Sequence, residues 1–305
     1  MNEANRAALT AALARPMESA IRYELLPIAG MQEAACELPH GAVVTVTCSP
    51  RHGLERTLQA SEWLVGEGFR VVPHLAARLM RDRAHLEQVL GRLAALGIDD
   101  AFVVGGDTER PLGAYPHGLA LLEAMDGHAR RPARIGVPVY PEGHPRVEAM
   151  ALQRDLAAKA GLADYAVSQL CFEAAPLLAW REQQRRAGLS LPVYAGIPGV
   201  MEPRRLLAIA LRLGLGPSVR ALQRQSGWLA RLLKPSPYRP DALLEPLVTL
   251  LGDPLGGFVG LHVYTFNRVA PTHRWLEDRS GLVSSPSATI EPEGRAVTSA
   301  GEPLA

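Results

Sequence analysis

The sequence predicts an α/β fold of the (β/α)8 TIM-barrel class, one domain with an insertion between its seventh and eighth strands. Three observations predict it. Eight short, β-branched apolar runs recur along the 305 residues, with helical periodicity between them. The runs are apolar throughout rather than alternating, as suits parallel strands buried on both faces. Most end on one polar residue, and barrel active sites are built at the carboxyl ends of the strands.

Residues 1–19 are read as a lead-in, with Asn5–Ala14 as a short helix closing the barrel bottom. Residues 20–280 form the barrel, and 281–305, rich in Ser, Pro, Gly, Ala and Glu, form a flexible tail. The first run, Ile21–Leu26, carries Glu24. A short connection leaves room only for a stubby helix before the second run, Val43–Cys48, which carries Thr47. A helix over Leu54–Val65 leads to the third run, Val71–His74. The helix after it is the clearest, because Leu86, Val89, Leu90, Leu93 and Leu96 share one face and Gly97 stops it.

The fourth run, Ala101–Val104, opens into Gly105-Gly106-Asp107 and a helix over Gly118–Met125. The fifth, Ile135–Val139, leads through Tyr140 and His144 to a helix over Val147–Lys159. The sixth, Tyr165–Leu170, carries Gln169 and precedes a helix over Phe172–Ala187. The seventh, Pro192–Ile197, precedes a helix over Glu202–Leu213, with Pro203 in its first turn and Gly214 as its stop. The insertion, Gly216–Asp253, holds Ser226–Leu233, a Pro-rich link over Lys234–Pro240 and a helix through Leu251. The eighth run, Phe258–Thr265, carries Tyr264, with Arg268 beyond it.

Composition narrows the function. Basic and acidic residues number 32 and 31, so no basic surface for nucleic acid is expected, and a small-molecule partner is. Cys36, Cys48 and Cys171 form no CxxC pair and read as reduced thiols of a cytoplasmic protein. Residues 1–16 lack a cationic start and apolar core, so no signal peptide is expected. No apolar run approaches the ~20 residues of a membrane span, so no membrane partner is expected. Neither GxGxxG nor GxxxxGK[ST] occurs, which leaves Rossmann and P-loop sites without support.

Each candidate site residue has two readings. A carboxylate within an apolar strand needs a partner or a task. Glu24 is therefore either bonded to Arg22 or a neighbouring strand, or a general acid whose pKa burial raises. Gly105 and Gly106 let a backbone approach a flat ligand that Asp107 could bond, yet a tight turn capped by Asp explains the same letters. The segment Tyr140-Pro141-Glu142-Gly143-His144-Pro145 is the most specific, since a structural loop accounts for Pro141 and Gly143 but not for Tyr140 and His144. The Gln169 amide donates and accepts at once, which suits the edge of a pterin or isoalloxazine, or a buried backbone contact. His74, His144 and His262 invite a metal reading, but no HxH or His–Asp ligand pair accompanies them, and no metal is expected.

Taken in order, Tyr23-Glu24-Leu25-Leu26-Pro27, Val44-Thr45-Val46-Thr47, His74-Leu75, Gly106-Asp107, Tyr140 to Pro145, Ser168-Gln169-Leu170-Cys171-Phe172-Glu173 and His262-Val263-Tyr264-Thr265-Phe266-Asn267-Arg268 resemble the methylenetetrahydrofolate reductase family. The resemblance runs over residues 20–280 and implies a (β/α)8 barrel reducing 5,10-methylenetetrahydrofolate to 5-methyltetrahydrofolate with NAD(P)H, NADH favoured. The product would feed one-carbon metabolism and methionine biosynthesis. By position it implies Glu24 as the general acid, and Asp107, Gln169, Tyr264 and Arg268 as contacts to a reduced folate. Thr47, His74, Gly106, Asp107, Tyr140, His144 and Lys159 fall where the family holds FAD.

The sequence also departs from the family. Gly105-Gly106-Asp107 stands for Arg-Gly-Asp, Cys48-Ser49-Pro50-Arg51 replaces a glycine-rich stretch, Leu152 falls where an aspartate is expected, and a stacking aromatic is lost near Pro203. The resemblance thus implies either FAD with altered contacts or direct hydride transfer from NADH, in a monomer or small homo-oligomer. Two other classes stay open: a folate- or flavin-binding barrel without redox activity, and a metal-dependent TIM-barrel hydrolase using His74, His144 and His262.

Overall fold

The computed structural model describes residues 21–189, 191–212, 236–251 and 257–280. The expected lead-in helix Asn5–Ala14, the stop at Gly214, the segment Ser226–Leu233 and the tail 281–305 lie outside the described residues. Eight parallel strands close into a barrel: β1 (Ile21–Leu25), β2 (Val43–Val46), β3 (Arg70–Ala76), β4 (Asp100–Val104), β5 (Arg134–Val139), β6 (Tyr165–Ser168), β7 (Val193–Pro198) and β8 (Gly260–Tyr264). The fold is a (β/α)8 barrel, as the recurring runs predict. Closure pairs β8 with β1, which sets Tyr264 beside Glu24 and His262 beside Arg22.

The α-helices among the described residues are α1 (Met31–Ala35), α2 (Gly53–Gly66), α3 (Arg83–Ala95), α4 (Gly118–Met125), α5 (Ala149–Lys159), α6 (Ala174–Arg186), α7 (Pro203–Arg212), α8 (Asp241–Val248) and α9 (Val269–Ser280). The stubby α1 fits the short first connection. In α3, Leu86, Val89, Leu90 and Leu93 are buried against the sheet, Asp82 caps the first turn by accepting from the His85 N–H, and Gly97 follows with φ +67°.

Element ends differ from the expected ones where the chain leaves the ladder. β2 stops at Val46; the Thr47 N–H still donates to the Leu25 carbonyl at 3.1 Å, and its own carbonyl accepts from the Thr57 hydroxyl at 2.9 Å. β6 stops at Ser168, so Gln169 lies just past the strand. α5 starts at Ala149 rather than Val147, because His144 and Val147 form an antiparallel bridge. α8 ends at Val248, not Leu251, since Leu251 bridges to Phe258 ahead of β8.

The strand interiors depart from the apolar expectation. Tyr23 and Leu25 belong to the main hydrophobic core between sheet and helices, while Arg22 and Glu24, two apart, take the opposite face. That inner face is partly polar. Arg22 donates to Asp100 Oδ2 at 2.8 Å and to the Tyr165 hydroxyl at 2.6 Å, and Tyr165 donates to Asp100 Oδ1 at 2.7 Å. The guanidinium carbon lies 4.2 Å from both the Tyr165 and Tyr194 ring centres. A charge this deep persists only when paired and stacked, as here.

Candidate active site

Glu24 lies inside the barrel near the carboxyl end of β1 and is 8% exposed. Its Oε2 is 3.2 Å from His262 Nε2 on β8 and 3.8 Å from His74 Nε2 on β3. Arg22, the other partner considered, turns to Asp100 instead, because it sits two residues down the same inner face. Burial raises the Glu24 carboxyl from 4.5 to about 7, opposed by His74. Burial lowers His74 to about 4, and burial with the Arg22 charge lowers His262 to about 3. Near neutral pH, then, the carboxyl can hold and donate a proton while both imidazoles are uncharged.

The end of β8 is tied over Glu24. The Thr265 hydroxyl donates to the Glu24 carbonyl at 2.6 Å, and the Tyr264 hydroxyl donates across the mouth to the Ser168 carbonyl at 3.0 Å. Burial pushes Tyr264 well above the usual phenol range, so it stays a neutral donor. Gly196 makes room for this ring, since a Cβ there would lie 2.9 Å from Tyr264 Cε2 and 2.2 Å from the Ser168 oxygen. Phe266 and Asn267 follow with φ of +49° and +62°, a left-handed turn that a bulky Phe adopts only when its surroundings impose it.

The other candidate residues ring this centre at different depths. Asp107 stands at the rim, 80% exposed, 3.6 Å from Arg146, which brings a cation to the loop where Gly105 supplies none. Gly106, at φ +92°, packs so close to β3 that a Cβ would meet that of Ala76 at 3.3 Å. Tyr140 and His144 meet edge to face with centroids 5.0 Å apart, and burial pushes the Tyr140 phenol up to about 12. Lys159 is buried, paired with Asp155, and a Cβ on Gly118 would lie 3.5 Å from its Nζ and 3.7 Å from the Gly105 N–H nitrogen. Gln169 Oε1 accepts from the Leu170 N–H at 2.8 Å. Arg268 is exposed and donates to Glu202 at 2.8 Å.

Glu24, His74 and Tyr264 thus share the dry centre, and Asp107 and Arg268 stand outside it at the rim. Among the described residues, no three His, Cys, Asp or Glu side chains are grouped to hold a metal ion; His74 and His262 meet at Glu24, whereas His144 packs against Tyr140. Where a stacking aromatic is missing near Pro203, the mouth holds an apolar cluster that includes Phe172, Met201, Tyr238, Tyr264 and Phe266. Sequence reasoning missed His262 as the partner of Glu24, and Thr265 and Asn267 as ties. Alternation on the eighth run would have placed His262 on the face of Tyr264.

A model of the family described as methylenetetrahydrofolate reductase matches residues 32–212, more than half of the chain. The chain belongs to the methylenetetrahydrofolate reductase family. The matched span holds Thr47, His74, Gly106, Asp107, Tyr140, His144, Lys159 and Gln169; Glu24 on β1, Tyr264 on β8 and Arg268 in the turn after β8 lie outside it.

Among solved structures, an uncharacterized protein from Clostridium thermocellum, described as binding two copies of 5-methyl-5,6,7,8-tetrahydrofolic acid, superposes with a TM-score of 0.60 at 10% identity. The match covers 86% of this chain and 95% of that one, a likeness of fold. A thermostable aldo-keto reductase in complex with the inhibitor epalrestat matches at TM-score 0.45 and 13% identity, over 88% of this chain and 96% of that one. No described helix is long and apolar enough to cross a membrane.

Proposed function

We propose that this member of the family reduces 5,10-methylenetetrahydrofolate to 5-methyltetrahydrofolate at the expense of NAD(P)H, with Glu24 as general acid. The observation that carries the reading is the Glu24 carboxyl, buried at the end of β1 with His262 at 3.2 Å and His74 at 3.8 Å, where burial raises its pKa to about 7. The methylene carbon accepts hydride only after one of its C–N bonds breaks. Glu24 gives its proton to the departing ring nitrogen, the remaining nitrogen and the carbon form an iminium, and hydride converts that carbon to methyl. A dry site favours this step, because an acid with a pKa near the working pH is both protonated and a ready donor.

Asp107 and Gln169 orient the pterin in this reading. Arg268 binds the anionic tail by charge-assisted hydrogen bonds, exchanging Glu202 for the substrate's carboxylate. Tyr264 forms the floor beside the acid. In this reading Thr47, His74, Gly106, Tyr140, His144 and Lys159 form the wall that takes a dinucleotide. Lys159, paired with Asp155 beside Gly118 and the Gly105 N–H, is part of a donor set for phosphate in this reading. FAD, where bound, supplies a relay for hydride between NAD(P)H and the folate; the same wall serves NADH in direct transfer.

The test is NADH and NADPH oxidation driven by methylenetetrahydrofolate, on protein of known flavin content, with and without added FAD. Oxidation in either condition supports the reductase, and its flavin dependence separates relay from direct transfer. Folate binding with no oxidation in any condition overturns it and leaves a binding barrel.

A further inference from the structure

We infer that His262 is a positioning residue that keeps the acidic proton of Glu24 on Oε1, the oxygen left for substrate, by donating its own Nε2–H to Oε2. This rests on the reading of Glu24 as the general acid.

The geometry has two parts. Both imidazole contacts of Glu24 fall on Oε2, with His262 Nε2 at 3.2 Å and His74 Nε2 at 3.8 Å; among the described residues none reaches Oε1. The second part is the far side of the His262 ring. Its Nδ1 is buried and has no hydrogen-bond partner.

A neutral imidazole carries one hydrogen, on one nitrogen or the other. With the hydrogen on Nδ1, an N–H would be buried with nothing to accept it, an arrangement proteins rarely keep. Nε2 would then be the acceptor and would draw the Glu24 proton inward onto Oε2, away from any substrate. With the hydrogen on Nε2, the bond to Glu24 is made, only a bare nitrogen is left without a partner, and Oε2 is occupied as acceptor. The proton of the acid then resides on Oε1.

The surroundings hold the ring in this state. The Arg22 guanidinium, further down the inner face, disfavours a second proton on His262. The Tyr264 ring packs against the imidazole with centroids 4.7 Å apart and planes at 61°, which fixes its tilt. The groups facing Glu24 are His74 from β3, His262 and Tyr264 from β8, and the Thr45 hydroxyl from β2, which does not ionise. His262 is the one at bonding distance. His74 stands too far for a strong bond and walls the carboxyl from water.

The experiment is an infrared pH titration of the Glu24 carboxyl in the full-length protein without substrate, the band being assigned by its loss in Glu24→Gln. Removing a donor to the ionised carboxylate raises its pKa, so His262→Phe should move the midpoint up by about one unit or more. His262→Gln keeps an N–H near the position of Nε2 and should bring the midpoint back toward wild type. With methylenetetrahydrofolate and NADH, His262→Phe should lower kcat about 10- to 100-fold with little change in the KM for folate. A folded His262→Phe protein that titrates like wild type overturns the proposal. Absence of reductase activity in the wild-type protein would overturn the functional reading, while the infrared midpoints would still decide the role of His262.

Discussion

Asn267 bonds twice to the backbone of Leu26: the Leu26 N–H donates to Asn267 Oδ1 at 2.9 Å, and Asn267 Nδ2 donates to the Leu26 carbonyl at 3.0 Å. The side chain imitates one more rung between β1 and β8, two residues beyond Glu24. Asn also tolerates the φ of +62° that this position requires. Asn267→Ala should therefore lose both bonds and add left-handed strain, about 3 kcal/mol in all. Asn267→Gly, which removes only the bonds, should lose less. Urea unfolding at constant m-value measures both, and equal stability of the two variants would show that the backbone conformation contributes nothing.

The Glu24 carboxyl makes stability depend on pH in a direction opposite to that of its two histidines. Its folded pKa of about 7 lies above the ordinary 4.5, so folding is penalised increasingly as pH rises between those values and fully above pH 7. The penalty is about 3 kcal/mol at most. His74 and His262 are depressed below 6.5, so their penalty grows as pH falls below 6.5 toward 4 and 3. Glu24→Gln should thus unfold at clearly higher urea than wild type at pH 8, with the gap closing toward pH 4.5. Its turnover should fall about 100-fold or more. A constant difference in midpoint across this range would contradict the raised carboxyl.

At the other end of the barrel, Arg22 and Asp100 form a buried pair, their side chains 2% and 10% exposed. Arg22→Met leaves Asp100 without its cation and should cost about 3–5 kcal/mol, whereas Arg22→Met with Asp100→Leu should recover much of that loss. The two midpoints in urea decide it, and a double variant no more stable than the single one would mean that the pair is worth its desolvation.

Gly196 is a tight point of the mouth. Gly196→Ala drives a methyl into the Ser168 carbonyl and the Tyr264 ring, so the bond between them must open. Loss of about 3 kcal/mol or more is expected, above the usual range for one added methyl because backbone is struck. Thermal unfolding monitored alongside folate binding reads this out, with both expected to weaken.

The sequence carried the barrel because the period of its apolar runs and helix faces is a local property, repeated eight times. Leu86, Val89, Leu90 and Leu93 declare one face of a helix through spacing alone, and Gly97 declares its end. Glu24 was legible for a similar reason, since a carboxylate in such a strand demands an explanation. The inner polarity was less legible: Arg22, Thr45, His74, Asp100 and His262 are scattered singly among apolar letters and gather only when the strands stand side by side.

The sequence by itself determined the strand and helix succession, the family resemblance and the list of strand-end residues that could serve a site. Tertiary structure alone decided who meets whom. Glu24 and His262 are 238 residues apart, and Leu26 and Asn267 are 241 apart, brought together by the register in which β8 closes on β1. The same closure turned Arg22 toward Asp100 and left Glu24 to the histidines. Periodicity is written in neighbours along the chain, whereas burial and the pKa values that follow from it depend on the cage that closure completes.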